Sequence, residues 1–216
     1  MAVRMTDCPP APWQTHGRAF IQPYLVRASD LALPAGFRPV AVAGRCVGML
    51  ALIEYQPPSP LTYAELVWMP CMISASGLRG YYVAKMYVDS PASLAAGREL
   101  WALPKQLARF EIGDREAIIE TEDGAHLELS LVQRGPALPL RAGAGTVQDG
   151  GADLVRFRGT GTARTASGGI TVRTAKGVDG WTGFATARRV PGLGAALTSF
   201  AITMLPPLRH ARATRP

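Results

Sequence analysis

The chain has 216 residues, 48% hydrophobic and 18% charged, which is enough apolar material for one well-packed domain. This balance excludes a disordered protein, and no apolar run is long enough to span a bilayer. Three cysteines without a C-x-x-C spacing argue against a disulfide framework, and the start lacks the apolar core of a signal peptide. We therefore expect a single domain, residues 1–216, located in the cytoplasm and not associated with a membrane.

The net charge of +7 is unevenly distributed along the chain. Residues 1–150 carry 13 basic and 14 acidic side chains, a net charge of −1, whereas residues 151–216 carry 10 basic and 2 acidic side chains, a net charge of +8. Such asymmetry can mark a nucleic-acid partner. The arginines of the second segment are not regularly interleaved with aromatic side chains, so we do not expect nucleic-acid binding.

Most of the chain has the pattern of β-strands, with short β-branched or aromatic runs separated by Gly, Pro, Asp and Ser. The predicted strands cover residues 18–26, 40–55, 61–69, 80–88, 106–112, 117–121, 126–133, 154–165 and 169–174. Residues 90–100 predict a helix, with Ser90 as N-cap and Pro91 at the first helical position. Residues 142–152 are Gly-rich and predict a loop, and residues 192–205 fit either a helix or a strand.

This succession of elements predicts a mainly β fold of the α+β type, in which an antiparallel sheet closes on itself beside one or two short helices. The sequence contains no G-x-S-x-G elbow and no P-loop. The three histidines, His16, His126 and His210, are far apart and have no spacing that suits a metal, so we expect no metal site.

The lysines of this chain are few, and one of them has unusual neighbours. Only 3 of the 23 basic residues are lysines, and Lys105 follows Leu103 and Pro104 in a segment rich in Leu, Trp and Ala. A lysine in such a setting can act as a nucleophile, because burial lowers the pKa of its amine and leaves a neutral group that attacks carbonyls. The alternative is a lysine whose stem lies along the surface while its amine stays in water.

Three motifs surround this lysine in a fixed order: Met86-Tyr87-Val88-Asp89-Ser90, then Ala95-Ala96-Gly97-Arg98-Glu99-Leu100, then Pro104-Lys105. Together they resemble the acetoacetate decarboxylase family, in which a P-K dipeptide carries the Schiff-base lysine. Sparser matches extend the resemblance over most of the chain, at His16-Gly17-Arg18, Tyr63-Ala64-Glu65, Trp181-Thr182-Gly183 and residues 202–208.

The resemblance implies a cone-like barrel of antiparallel strands, a homo-oligomer and covalent catalysis by lysine. Lys105 would attack the carbonyl of a small keto acid and form an iminium, which takes up the electrons when the carboxylate leaves as carbon dioxide. Because the iminium is the electron sink, the resemblance implies no metal and no organic cofactor. The expected function is a Schiff-base-forming lyase that decarboxylates a β-keto acid. The alternatives are a lysine-dependent aldolase, dehydratase or hydratase, and a non-catalytic ligand-binding barrel of the same fold.

The chain departs from the family pattern at two positions. Gln106 stands where the decarboxylases carry a second lysine, so burial must lower the amine pKa alone or together with Arg18. Leu50 stands where a second carboxylate is expected, and Glu54, four residues further on the same face of a regular strand, could replace it. We place Glu54 and Gln106 among the substrate-binding residues.

The expected site assigns each remaining residue a role. Lys105 is the nucleophile, and Glu65 is a buried carboxylate that carries protons or orients the substrate. Arg18 holds the substrate carboxylate through a bidentate contact, and Tyr63 and Trp101 form an apolar wall. The alternatives are a solvent-facing Glu65, a surface Arg18, and aromatic residues that belong to the ordinary core.

Overall fold

The computed structural model of the chain describes residues 9–212. Within them the elements follow one another as β1 (Trp13–Arg27), a 3-10 turn (Ala28–Asp30), β2 (Arg38–Pro39), β3 (Arg45–Gln56), β4 (Tyr63–Met69), β5 (Cys71–Ala75), β6 (Leu78–Tyr82), β7 (Lys85–Val88), α1 (Pro91–Trp101), β8 (Lys105–Ile112), β9 (Glu116–Thr121), β10 (His126–Asp149), β11 (Asp153–Lys176), β12 (Arg188–Arg189), β13 (Ala195–Met204) and β14 (Leu208–Ala211). The mainly β character predicted from the sequence is confirmed.

Nine of these strands close into a ring. Its order is β1, β3, β4, β7, β8, β9, β10, β11 and β13, and β13 pairs again with β1. Every pairing in the ring is antiparallel except that of β7 with β8, which is parallel. A parallel pair needs a crossover connection, and α1 provides it. The predicted closed sheet with a short helix is therefore confirmed, with this one parallel pair as the exception.

Three expectations about the second half of the chain are corrected or resolved. The loop predicted at residues 142–152 is wrong, because residues 142–149 belong to β10, which pairs with the long strand β11. Glycine lowers strand propensity, but here the tertiary pairing decides the conformation. The two strands predicted at residues 154–165 and 169–174 are one continuous strand, β11, and the ambiguous residues 192–205 contain the strand β13.

The strands β1, β3, β4 and β7 form a layer that is buried on both faces. One face packs into the largest apolar cluster, which includes Leu50, Leu52, Leu66, Trp68 and Tyr87. The other face packs against α1 and the distal half of the β10–β11 hairpin, through residues that include Ala51, Val67, Met86, Ala96 and Phe157. Because side chains alternate along a strand, neighbouring residues in this layer lie in different environments. This alternation decides which predicted site residues can meet.

No helix within residues 9–212 is long and apolar enough to cross a membrane.

Candidate active site

The crossover helix places Lys105 at the first position of β8. Helix α1 begins after Ser90, whose hydroxyl accepts a hydrogen bond from the backbone N–H of Ser93. It ends at Ala102, which has a φ of 51° in the left-handed region, so the chain turns directly into β8. The guanidinium Nε of Arg98 donates to the backbone carbonyl of Lys105 at 2.8 Å. The end of the helix and the start of the strand are therefore fixed to each other.

Helix α1 passes directly over the stem of Lys105, and Gly97 makes this possible. A Cβ atom added at Gly97 would lie 2.5 Å from both Cδ and Cε of Lys105, closer than van der Waals contact allows. The glycine in the Ala-Ala-Gly-Arg-Glu-Leu motif therefore has a physical reason: it leaves room for the lysine side chain.

The amine of Lys105 is buried and contacts three side chains. The residue is 3% exposed. Its Nζ lies 2.9 Å from Oε2 of Glu65 and donates to Oγ of Ser93 at 2.8 Å and to the hydroxyl of Tyr63 at 3.4 Å. An ammonium group has three N–H donors, so these contacts account for all of them. Glu65 and Ser93 are themselves buried, at 3% and 0% exposure, so Glu65 faces the core and not the solvent.

Aromatic rings enclose this cluster. The hydroxyl of Tyr55 donates to Oε1 of Glu65 at 3.4 Å, and the ring of Tyr55 stacks on Tyr63 with 4.4 Å between centroids. Phe200 packs edge-on against Tyr55, with 5.8 Å between centroids. The Nζ of Lys105 also lies 4.9 Å from the ring centroid of Tyr63, a cation–π distance. The charged groups thus lie in a medium that screens them weakly.

The pKa of Lys105 differs in direction from the sequence expectation. Burial lowers it, but the adjacent Glu65 carboxylate and the Tyr63 hydroxyl raise it more, so the pKa lies above the ordinary lysine value of 10.5. Burial raises the pKa of Tyr63 and of Tyr55, which keeps both phenols neutral. The expected lowering by burial is outweighed because the carboxylate stabilises the ammonium at 2.9 Å. At neutral pH the resting amine is therefore an ammonium beside Glu65.

Arg18 and Glu54 form a separate pair on the opposite face of the layer. They are cross-strand neighbours in β1 and β3, and Nε and Nη2 of Arg18 lie 2.5 Å and 3.2 Å from the two carboxylate oxygens of Glu54. Glu65 of β4 lies directly opposite Ile53 of β3, and side chains of directly paired residues point to the same face. Glu54 follows Ile53 and points to the other face, so Glu65 and Glu54 lie on different faces of the layer. The structure therefore does not bring Arg18 and Glu54 into the Lys105 cluster.

Gln106 and Trp101 also lie apart from the amine. Gln106 follows Lys105 in β8 and projects from the other face; its Oε1 is buried and has no hydrogen-bond partner among residues 9–212. Trp101 packs edge-on against Trp13 and Phe157, and its indole N–H donates to a backbone carbonyl. Trp101 is thus a core residue of the layer between α1 and β11, and it supports the helix end from which β8 starts.

Sequence reasoning missed two residues of the cluster, Ser93 and Tyr55. Ser93 is the third residue of α1, and its side chain reaches the amine only because the helix lies over β8. The sequence signal was its position twelve residues before the lysine, inside the helix that leads to the strand. Tyr55 pairs directly with Tyr63 across β3 and β4, a relationship that becomes visible once the strand register is known.

Two clefts flank the buried cluster. One, of about 280 Å³, is lined by Glu54, Tyr55, Gln56, Tyr63, Ala64, Asp89, Phe110 and Ile112. The other, of about 330 Å³, is lined by Leu94, Arg98, Gln106, Leu107, Glu122 and Asp123. Lys105 lines neither cleft, so in this conformation Tyr63 and its neighbours close the amine from solvent.

The fold is shared with solved structures at low sequence identity. An acetoacetate decarboxylase-like enzyme from Sphingomonas wittichii RW1 is 16% identical, with a TM-score of 0.63 over 96% of this chain and 97% of the other. An acetoacetate decarboxylase from Legionella pneumophila is 17% identical, with a TM-score of 0.61 over 95% of this chain and 88% of the other. The enduracididine biosynthesis enzyme MppR, complexed with the condensation product of pyruvate and imidazole 4-carboxaldehyde, is 16% identical, with a TM-score of 0.61 over 95% and 92%.

The amino-acid sequence gives the more specific relationship. Acetoacetate decarboxylase 3 from Mesorhizobium japonicum is 44% identical over 50 residues, and the alignment covers 23% of this chain and 20% of that relative. The chain thus spans about a fifth of the length of this curated relative. The family described as Acetoacetate decarboxylase (ADC) matches residues 4–195, which is most of the chain. The chain belongs to the acetoacetate decarboxylase family.

Proposed function

We propose that this chain is a Schiff-base-forming lyase that decarboxylates a β-keto acid, with Lys105 as the nucleophile. The observation that carries the proposal is the contact of a buried lysine amine with a buried carboxylate, Glu65, at 2.9 Å inside an aromatic enclosure. Family membership supports the same chemistry. A lysine with a purely structural role needs neither a neighbouring base nor adjoining clefts.

Lys105 must lose a proton before it can attack a carbonyl, and Glu65 is placed to accept it. Transfer from Nζ to Oε2 converts the ion pair into a neutral amine and a carboxylic acid. A ketone that takes the place of the hydroxyl of Tyr63 or Ser93 beside the amine removes a contact that stabilises the ammonium, and a weakly screening interior penalises two charges more than two neutral groups, so binding favours this transfer. The proton transfer, and not burial alone, supplies the nucleophile in this account.

The following steps use the hydroxyl and carboxyl groups that already touch the amine. The neutral amine adds to the ketone carbon, and the carbonyl oxygen takes a proton from the acid form of Glu65. The nitrogen of the adduct then returns one proton to Glu65, and the hydroxyl leaves as water with that proton, which converts the carbinolamine into the iminium; the neutral hydroxyl of Tyr63, 3.4 Å from Nζ, can hydrogen-bond to the leaving oxygen. The iminium then accepts the electron pair of the breaking carbon–carboxylate bond, and carbon dioxide leaves. Protonation of the enamine carbon and hydrolysis of the iminium return the amine and release the ketone.

The walls around the amine favour loss of a charged carboxylate. The side of the layer that carries Lys105 is lined by Tyr55, Tyr63, Val88, Leu94, Leu107 and Phe200. A carboxylate in these surroundings is poorly solvated, whereas carbon dioxide is neutral. Loss of carbon dioxide therefore removes a charge that these surroundings destabilise.

A second candidate is a lysine-dependent aldolase, dehydratase or hydratase. Arg18 is bound to Glu54 on the other face, and Gln106 is uncharged, so neither supplies a cation for a substrate carboxylate at the amine. Glu65, in contact with the amine, can move a proton to or from the carbon next to an iminium. MppR, which has this fold, is described with a condensation product of pyruvate and an aldehyde.

Turnover assays distinguish these functions. Carbon dioxide release from a panel of β-keto acids is the expected result, and it should disappear in Lys105→Arg, because arginine stays protonated. Condensation or dehydration of keto acids without carbon dioxide release would favour the second candidate. Retained turnover in Lys105→Arg would contradict lysine catalysis altogether, and a folded protein that binds keto acids without turnover would indicate a binding barrel.

We also propose that the protein acts in the cytoplasm as a homo-oligomer on a small keto acid, without a nucleic-acid partner. Arg158 and Arg164 lie on the exposed face of β11, which fits a solvated basic surface. Sedimentation velocity tests the oligomer, and retention on heparin at low salt would contradict the absence of a nucleic-acid partner.

A further inference from the structure

The larger of the two clefts opens beside Lys105, at the uncovered edge of β8. Strand β9 pairs with β8 only from Ala108 onward. Residues 105–107 therefore have a neighbouring strand on one side, β7. The space left beside this edge, between α1 and the turn after β9, is the cleft of about 330 Å³. Leu94 and Leu107 line it and also pack in the apolar cluster around Tyr63. The cleft therefore adjoins the enclosure of the amine.

Gln106 forms a polar part of the cleft wall. Its Oε1 is shielded from solvent and has no hydrogen-bond partner among the described residues. Buried polar atoms in native proteins nearly always have partners, so the free Gln106 oxygen beside the cleft is available to accept a hydrogen bond from a bound ligand. A glutamine amide can turn over and present either its oxygen or its nitrogen, so the charges around it decide which ligand group fits.

Among the charged groups of the lining, Glu122 is a carboxylate that no ion pair of the described residues engages, and it can accept from a ligand that donates. Glu122 and Asp123 contribute two carboxylates, and Arg98 contributes one guanidinium, whose Nε already donates to the carbonyl of Lys105. Asp123 is held by Lys85 at 2.9 Å and by the hydroxyl of Tyr87 at 3.0 Å, whereas Glu122 is exposed at the rim. A positively charged N–H group in the cleft would find two kinds of acceptor in its walls, the amide oxygen of Gln106 and the carboxylate of Glu122.

We propose that this cleft binds the distal end of the substrate and selects a ketone whose far end carries an ammonium or guanidinium group. The proposal rests on the proposed function, since Lys105 must hold the carbonyl end. The proposal also gives Gln106 a role. A lysine at this position would add a positive charge to the cleft and repel the cationic end of the substrate, whereas the amide oxygen of glutamine accepts a hydrogen bond from that end.

Matched ligands that cannot form an imine test the cleft independently of Lys105 chemistry. Three secondary alcohols of equal chain length, ended by an ammonium, a methyl or a carboxylate group, are titrated into the protein by calorimetry. The ammonium-ended alcohol should bind about fivefold more tightly than the methyl-ended one, the factor expected for a partly exposed charged contact. The preference should be lost in Gln106→Leu and in Glu122→Gln. Glu116→Gln, an equal change of charge on an exposed residue outside the cleft, should retain it.

Equal or tighter binding of the methyl-ended or carboxylate-ended alcohol would overturn the proposal. So would a preference that survives in both cleft variants, or no measurable binding of any of the three. In a parallel experiment, borohydride trapping of a plain methyl ketone tests the lysine chemistry alone. If trapping fails but the ammonium-ended alcohol is still preferred, the proposed function is refuted and the cleft assignment stands. If trapping succeeds but the ammonium-ended alcohol is not preferred, the cleft assignment is refuted and the proposed function stands.

Discussion

The carboxylate of Glu65 lies 2.9 Å from the amine of Lys105, and both side chains are almost completely buried. This contact reverses the effect that burial alone would have on the lysine, because it holds the pKa of the ammonium above its ordinary value. In the proposed mechanism Glu65 is also the base that removes the proton. The same carboxylate thus stabilises the resting ammonium and, in the proposed mechanism, accepts the proton that neutralises it.

Glu65→Gln should lower the pKa of Lys105. Without the carboxylate, burial becomes the main effect, and burial disfavours the ammonium, so the pKa should fall below 10.5. The pH midpoint for reductive trapping of a ketone should then move to lower pH, while turnover falls by about 10²–10⁴-fold because the base is lost. Trapping followed from pH 5 to 11 by intact mass measures both effects. An unchanged midpoint would show that Glu65 does not control the amine.

Ser93→Ala should slow imine formation, because the amine loses the 2.8 Å hydrogen bond that holds it in position beside Glu65. An ammonium N–H left without a partner also lowers the free energy of unfolding by about 1–3 kcal/mol. Ser90→Ala is the matched control: it removes the helix cap, costs about 1 kcal/mol, and does not touch the amine. Trapping rates should therefore fall in Ser93→Ala and stay at the wild-type value in Ser90→Ala. Equal rates in the two variants would remove Ser93 from the site.

Gly97→Ala should displace the side chain of Lys105. Alanine in place of glycine normally stabilises a helix by up to about 1 kcal/mol, but here the new methyl group would lie 2.5 Å from Cδ and Cε of the lysine. Overpacking of this kind costs about 1–3 kcal/mol, and the amine would leave its contacts with Glu65 and Ser93. We expect a lower melting temperature and little trapping. Gly113→Ala, where the nearest atom is 3.7 Å away, should behave like the wild type in trapping.

Arg18→Gln should have a small effect on imine formation with ketones that lack a carboxylate. Arg18 is bound to Glu54 on the face opposite Lys105, and both side chains are partly exposed, at 31% and 22%. A pair of this exposure contributes about 0–1 kcal/mol to stability. Trapping of acetone should therefore change by less than about fivefold. A loss of trapping by orders of magnitude would show that Arg18 acts on the amine and that the two faces are coupled.

The local features around Lys105 could be predicted from the sequence, because each depends on neighbours along the chain. Ser90 and Pro91 mark the helix start, and the structure confirms α1 at Pro91–Trp101. The apolar setting of Lys105 indicated burial, and the residue is 3% exposed. The pKa direction was wrong, since it depends on a carboxylate forty residues away in the chain, and its contact with the amine requires the order β4, β7, β8 in the sheet.

The separation of Glu54 from Glu65 could not be predicted without the register of β3 and β4. Each strand alternates by itself, but only the pairing of Ile53 with Glu65 shows that the two carboxylates face opposite sides. The long β10–β11 hairpin was missed for a related reason. Its Gly-rich part, residues 142–149, has the composition of a loop, and the hydrogen bonds that make it a strand come from β11.

Borohydride trapping with acetoacetate, followed by peptide mapping of the modified lysine, tests directly whether Lys105 forms a Schiff base. We expect a reduced adduct on Lys105 that is absent in Lys105→Ala and retained in Lys85→Ala, where the lost lysine pairs with Asp123 away from the Lys105 amine. An adduct on Lys85, or no adduct on folded protein with any keto acid or ketone, would contradict a Schiff-base function for this site.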